Sequence, residues 1–194
     1  GDTGDRLKDA MHRIVAESER AGAVVRRLRD FFQTGTTRLE SLQLEELLTD
    51  SVERFSGRAA RDAIQLTLAP VPACILHADR LQLEVVIRNL LSNAFDAVSK
   101  QPAVARRVRV AAKMEGPGRV CVQVEDSGQG LSPAAAARAF EPYESTKSSG
   151  LGLGLVISKA IVEAHGGSLW AEVGDHGVFK FILLVEEDAA HGSH

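Results

Sequence analysis

Two glycine clusters restrict what this chain can fold into, because each lies where one hydrophobic period ends or begins. Val120, Val122 and Val124 alternate with polar residues or cysteine, then give way to Asp126-Ser127-Gly128-Gln129-Gly130. Alternation of period two is the mark of a half-buried strand, so the first cluster sits at a strand end. Gly150-Leu151-Gly152-Leu153-Gly154-Leu155 opens a segment of helical period that reaches His165 and stops at Gly166-Gly167. The second cluster therefore starts a helix. A strand that ends in a carboxylate, a loop, and a helix that begins on glycines must be brought together by a sheet with helices packed on it.

The remaining segments agree with that architecture. Leu44, Leu47, Leu48, Val52 and Phe55 give one helical face, and a second helix is predicted from about Asp79 to Ser99. Ile64, Leu66 and Leu68 read as a strand, and Cys74 to Leu76 does so more weakly. Val108, Val110 and Ala112 precede Gly116-Pro117-Gly118, a turn signal, so the strand through Val124 should close a hairpin. Strands over Ser168–Val173 and Val178–Val185 complete the set. The expected fold class is α+β, with three helices on one face of a mixed, mostly antiparallel sheet.

Ahead of this domain the period differs. Leu7, Met11, Ile14, Ser18, Ala21, Val25, Leu28 and Phe32 step four, three, four, three, which is a heptad seam on one long amphipathic helix. Arginine- and glutamate-rich flanks read as its solvated side. Thr34-Gly35-Thr36-Thr37 ends it, so the expected organisation is a helix over 1–37, a globular domain over 38–187 and a tail over 188–194. The seam predicts a homodimer through this first helix.

Composition removes several function classes. A net charge of -3 gives no duplex-binding surface, so no nucleic-acid partner is expected. No apolar run approaches the roughly 18 residues of a membrane span, so no membrane contact is expected of this segment. No signal-peptide pattern opens the chain, and two cysteines, Cys74 and Cys121, fit a reducing cytoplasm. A longer parent protein could still be membrane-anchored. Cys74 and His77 form half of a metal-ligand spacing without a second pair, and read as strand residues.

Three groups of residues suit nucleotide chemistry. Asn89 and Asn93, four apart, project from one face of a helix. Asn93 can give a neutral oxygen to Mg²⁺, which binds through few protein ligands plus phosphates. Asp126 accepts hydrogen bonds only, which suits the exocyclic amine of adenine and would repel the carbonyl of guanine. Gly128 and Gly130 leave room for a flat base against the backbone. The Gly150, Gly152, Gly154 start offers free N–H groups to phosphates, and Lys147 lies just before it. Each piece has a plain structural reading as well: buried asparagines that tie backbone, a strand-end turn, a solvated loop lysine.

Taken in order, Asn89-x-x-x-Asn93, Asp126-x-Gly128-x-Gly130, Phe140-Glu141-Pro142, Thr146-Lys147 and Gly150-x-Gly152-x-Gly154 resemble the N, G1, F and G2 boxes of sensor histidine kinases. The resemblance covers about Leu44 to Val185, and His165-Gly166-Gly167 is similar to a segment that follows the G2 helix. Arg26-Arg27-Leu28-Arg29-Asp30-Phe31 resembles the second dimerisation helix of oxygen and dicarboxylate sensors. The implied fold is the Bergerat ATP-binding sandwich, with Leu131–Ser149 as an ATP lid. The implied roles are Asn93 at Mg²⁺, Asn89 at the phosphates, Asp126 at adenine, and Gly150, Leu151, Gly152, Leu153, Gly154 and Leu155 at the lid hinge and phosphates.

The chain also departs from the family. Val178 stands where many relatives have a threonine near adenine, Glu144-Ser145 where many have an aromatic and a threonine, and Asp96 where many have a basic residue. None of the six histidines is followed by Glu or Asp, as a phosphoacceptor usually is in this family. The expectation is therefore a truncated kinase, with ATP and Mg²⁺ as cofactors and a response-regulator receiver domain as partner. Its γ-phosphate would pass to a histidine outside this chain. The alternatives are an ATP-hydrolysing relative resembling gyrase or chaperone ATPases, a serine kinase resembling anti-sigma factors, and a non-enzymatic dimerisation module.

Overall fold

The computed structural model describes residues 38–141 and 153–186. The chain divides into two units, 1–37 and 38–194, and every described residue belongs to the second. The long amphipathic helix, its dimer seam and the tail lie outside the described residues.

Seven strands and four α-helices follow one another as β1 (Glu40–Gln43), α1 (Leu44–Arg61), β2 (Gln65–Leu68), β3 (Ile75–Ala78), α2 (Arg80–Val98), β4 (Arg107–Met114), β5 (Arg119–Asp126), α3 (Pro133–Arg138), α4 (Gly154–Ala164), β6 (Ser168–Ala171) and β7 (Gly177–Leu184). The main sheet has the order β2-β4-β5-β7-β6. Only the β2–β4 pair is parallel, and the other pairs in the sheet are antiparallel. β1 and β3 form a separate antiparallel pair. The predicted α+β sandwich with a mostly antiparallel sheet is the fold observed.

Local chemistry accounts for the elements that carry the site. Asp79 caps α2, its Oδ1 accepting from the Gln82 N–H at 3.1 Å and its Oδ2 from the Arg38 N–H at 2.9 Å. Leu83, Val86, Ile87, Leu90, Leu91, Ala94, Phe95 and Val98 of α2 are all buried, so this helix is the spine of the core. They meet the inward row of the sheet, Val108, Val110, Val120, Val122, Val124 and Phe181. The β4–β5 hairpin turns through Gly116 and Gly118, both at positive φ (79° and 66°), where glycine is free of the Cβ penalty.

α1 is fixed to α2 by Phe55, edge-on to Phe95 at 5.1 Å, and by Arg58, which bonds Asp96 at 2.6 Å and Asp62 at 3.2 Å. Arg106 closes the far end of this layer. Its guanidinium donates to the carbonyls of Asp62 and Ser99, which the ends of α1 and α2 leave without helical partners, and to that of Gln101 in the following loop. At the other end His165, just past α4, accepts the Asp79 N–H on Nε2 at 3.1 Å while Nδ1 faces the Ile161 carbonyl at 2.8 Å. A carbonyl cannot donate, so the proton of the neutral ring is on Nδ1.

Several expectations are revised. The segment expected as a lid begins with regular structure: Ser132 caps a short helix with Pro133 at its start, Ser132 Oγ accepting from the Ala135 N–H at 3.2 Å. The described residues thus hold a fourth α-helix beside the three expected, and the rest of the lid segment, from 142 onward, lies outside them. Cys74 precedes β3 instead of lying in it, and His77 is exposed and 3.2 Å from Glu186. Burial pushes both cysteine thiols up.

Candidate functional site

The site is organised along one face of α2. Asn89, Asn93 and Ala97 recur every fourth residue and are all partly exposed, a row spanning about 12 Å at 1.5 Å per residue. At one end of this row lies the start of α4. The Asn89 Nδ2 donates to the Gly154 carbonyl at 3.0 Å and to Ser158 Oγ at 3.2 Å. At the other end lies the loop after β5, where a Cβ added to Gly128 would come within 2.9 Å of Ala97 Cβ. Gly128 is therefore glycine so that the loop can lie against α2.

Asp126 sits at that second end. Strand register puts it in one cross-strand row with Val108 and Gly177 on the face that meets the helices, and it is only 4% exposed. Its Oδ1 accepts from the Gly128 N–H at 2.8 Å. Burial pushes its carboxyl up to about 6, the Gly128 hydrogen bond and His176 pulling the other way and Glu125 adding to the rise. A buried, acceptor-only group is suited to a donor from a ligand.

The register also corrects the reading of Val178. Val178 pairs with Glu125 and so lies on the opposite face from the carboxylate. Gly177 is the β7 residue beside Asp126, and a Cβ there would overlap Asp126 Oδ2. The carboxylate is thus held between two positions, 128 and 177, that exclude side chains. Sequence reasoning found the first and missed the second, since strand pairing is invisible in a local motif.

Gly130 has a different reason for being glycine from the one expected. Its Cα packs on the Gly174 carbonyl, where a Cβ would overlap, and its N–H donates to the Asp175 carbonyl at 3.2 Å. It docks the loop on the β6–β7 turn. Asp96, which stands where many relatives have a basic residue, bonds Arg58 of α1. Leu153 precedes α4 and is buried, while Gly154 and Leu155 form its first turn and are partly exposed. Lys147, Gly150, Leu151 and Gly152 lie outside the described residues. Phe140 packs edge-on to Phe179 at 6.4 Å, with Lys159 of α4 at 5.4 Å from its ring, so the segment after α3 is anchored to both β7 and α4.

A groove of about 220 Å³, lined by Thr67, Arg107, Arg109, Glu125 and His176 among others, shares Asp126 with this site but neither asparagine. Among the described residues no group of three or more His, Cys, Asp or Glu is placed to hold a metal. Neutral amide oxygens on α2 are the candidate donors.

Residues 78–189 match the family described as histidine kinase-, DNA gyrase B- and HSP90-like ATPases. The chain belongs to this ATPase family. Its relatives within it are sensor kinases. It is 34% identical over 189 residues to the C4-dicarboxylate transport sensor protein DctS of Rhodobacter capsulatus, a match covering 95% of this chain and 28% of that protein. It is 38% identical over 175 residues to the sensor histidine kinase ZraS of Klebsiella oxytoca, covering 89% of this chain and 37% of ZraS. The chain therefore spans about a third of the length of these relatives.

Two solved histidine kinases share the fold. Full-length ShkA in complex with AMPPNP superposes with a TM-score of 0.67 at 30% identity, over 80% of this chain and 33% of that one. The nucleotide-free catalytic domain of ThkA gives 0.67 at 25% identity, over 76% of this chain and 95% of that one. The ATPase-family domain described above is accordingly a Bergerat sandwich of the sensor-kinase type, an ATP-binding domain. No helix among its described residues is long and apolar enough to cross a membrane.

Proposed function

We propose that this domain binds Mg·ATP along the Asn89–Asn93–Ala97 face of α2 and supplies the γ-phosphate to a histidine, for relay to the aspartate of a response regulator. The observation that carries the reading is the placement of a buried carboxylate at one end of that face and the start of α4 at the other. Asp126 accepts the exocyclic amine of adenine, and its acceptor-only chemistry sets the choice of base. The N–H groups at the start of α4, with Gly150, Leu151, Gly152, Leu153, Gly154 and Leu155, take the phosphates, and Lys147 pairs with their terminal charge. Asn93 offers a neutral oxygen to Mg²⁺, and Asn89 lies beside the phosphates. The neutral donors on α2 fit an ion that keeps waters and shares its shell with phosphate oxygens. When bound, the ion supplies charge neutralisation to phosphoryl transfer. The residues of this chain contribute positioning, which is most of what such reactions ask of a protein. Residues 1–37 would act as a dimerisation helix.

Hydrolysis is the rival outcome of the same fold. An amide at position 89 cannot take a proton from water, so transfer to an imidazole is favoured over release of phosphate. The test incubates the chain and labelled ATP with a separately supplied dimerisation hairpin bearing a histidine followed by Glu or Asp. The expected product is acid-labile, base-stable phosphate on the hairpin, lost in Asn93→Ala. Rapid release of inorganic phosphate without phosphohistidine would reverse the reading.

A further inference from the structure

Ser158 is fully buried where α4 packs on α2, and it completes a closed set of hydrogen bonds. Its Oγ donates to the Gly154 carbonyl at 2.7 Å, one turn back on the same helix. Asn89 Nδ2 reaches the same carbonyl at 3.0 Å and Ser158 Oγ at 3.2 Å. A hydroxyl has one proton. Since that proton goes to Gly154, the hydroxyl can only accept from Asn89. Two acceptors, one carbonyl and one hydroxyl oxygen, thus converge on the Asn89 amide and require its nitrogen there. The amide orientation, ordinarily ambiguous between oxygen and nitrogen, is settled by these partners. The amide oxygen is then not the atom that meets Gly154 and Ser158.

We propose that Ser158 is a positioning residue that holds the Asn89 amide with its carbonyl oxygen, and not its amine, toward the metal-bearing phosphates. The inference rests on the ATP-site reading and refines it. Phosphate oxygens are acceptors and would be repelled by a second acceptor, whereas Mg²⁺ binds such an oxygen and a water held by the ion donates to it. Asn89 then joins Asn93 as a neutral oxygen donor to the ion or its hydration shell, instead of donating to the phosphates.

Stability alone does not account for this serine. A hydroxyl bonded back to the i−4 carbonyl slightly destabilises a helix, and alanine is the better helix former. Ser51 provides an internal comparison. It is buried, and its Oγ donates to the Leu47 carbonyl at 2.7 Å, again four residues back, on α1 away from the asparagines. Ser51→Ala removes the same bond without touching an amide.

The test compares the 194-residue chain with Ser158→Ala and Ser51→Ala. ATP binding is measured calorimetrically with Mg²⁺ and with the ion chelated, and the Asn89 side-chain NH₂ resonances are followed in nucleotide-free protein. Ser158→Ala should weaken Mg·ATP about three- to tenfold, the worth of one hydrogen bond, and change metal-free ATP less than about twofold. The Asn89 resonances should move. Ser51→Ala should alter neither. Equal loss with and without Mg²⁺, or no loss at all, overturns the proposal. So does an Asn89 amide that does not move in Ser158→Ala, a readout that needs no nucleotide. If the unsubstituted chain fails to bind Mg·ATP, the ATP-site reading itself falls, and the resonance shift still decides whether Ser158 holds the amide.

Discussion

Asp126→Asn should make the domain more stable and a poorer nucleotide binder at once. The carboxyl is 4% exposed, and its titration is raised from an ordinary 3.8 to about 6. Near neutral pH the folded domain therefore holds a buried negative charge that the unfolded chain carries in water. At about 1.36 kcal/mol per pH unit, that charge costs the fold about 3 kcal/mol near pH 7.5. A group raised in the folded state favours folding below its unfolded value, and that contribution is lost as pH rises through the folded one. The cost should thus fall to about 1.6 kcal/mol near pH 5 and nearly vanish below about pH 3.5. Asparagine can keep the Gly128 hydrogen bond through its oxygen, though a neutral acceptor gives up about 1 kcal/mol of the charged bond. The net gain near pH 7.5 is about 2 kcal/mol, or roughly 4–8 °C in Tm for a domain of this size. Losing the charged bond to adenine should weaken ATP about ten- to hundredfold. Urea unfolding of both proteins near pH 7.5 and pH 5, with calorimetric titration of ATP, reads all of this. An Asp126→Asn protein less stable than its parent at neutral pH, or a difference that does not shrink on acidification, would refute the argument.

Other substitutions probe the frame around the site. Gly177→Ala should displace the Asp126 carboxylate and weaken ATP at least about tenfold, since two atoms cannot share that space; unchanged affinity by calorimetry would show that the carboxylate is not read by the base. Gly130→Ala should cost about 2–3 kcal/mol in urea unfolding by forcing the loop off the Gly174 carbonyl, with an effect on ATP only through stability. His165→Ala leaves the Asp79 N–H without its acceptor and should cost about 1–2 kcal/mol, readable as a lower urea midpoint with an unchanged slope.

What the sequence made legible follows from how local each signal is. The Asp79 cap and the run of apolar residues after it place α2 within a residue of its observed ends, and Gly116-Pro117-Gly118 places the β4–β5 hairpin. β1 escaped because, in four residues, only Leu42 is buried, too short a stretch for a period to show. α3 escaped although Ser132-Pro133 is a helix-start signal, because the small residues after it carry no apolar face. In the candidate site, Asn89, Asn93, Asp126 and Gly128 are singled out by spacing alone. Gly177 and Ser158 are not, since one acts through strand register and the other through a contact across sixty-nine positions of sequence.

The central claim is that Asp126 reads adenine in an ATP site on α2. Calorimetric titration of the 194-residue chain with Mg·ATP and, separately, Mg·GTP tests it most directly. The account predicts saturable binding of ATP at one site and an affinity for GTP lower by about tenfold or more, because the guanine carbonyl would face a carboxylate oxygen. Equal affinities, or no binding of either, would contradict it.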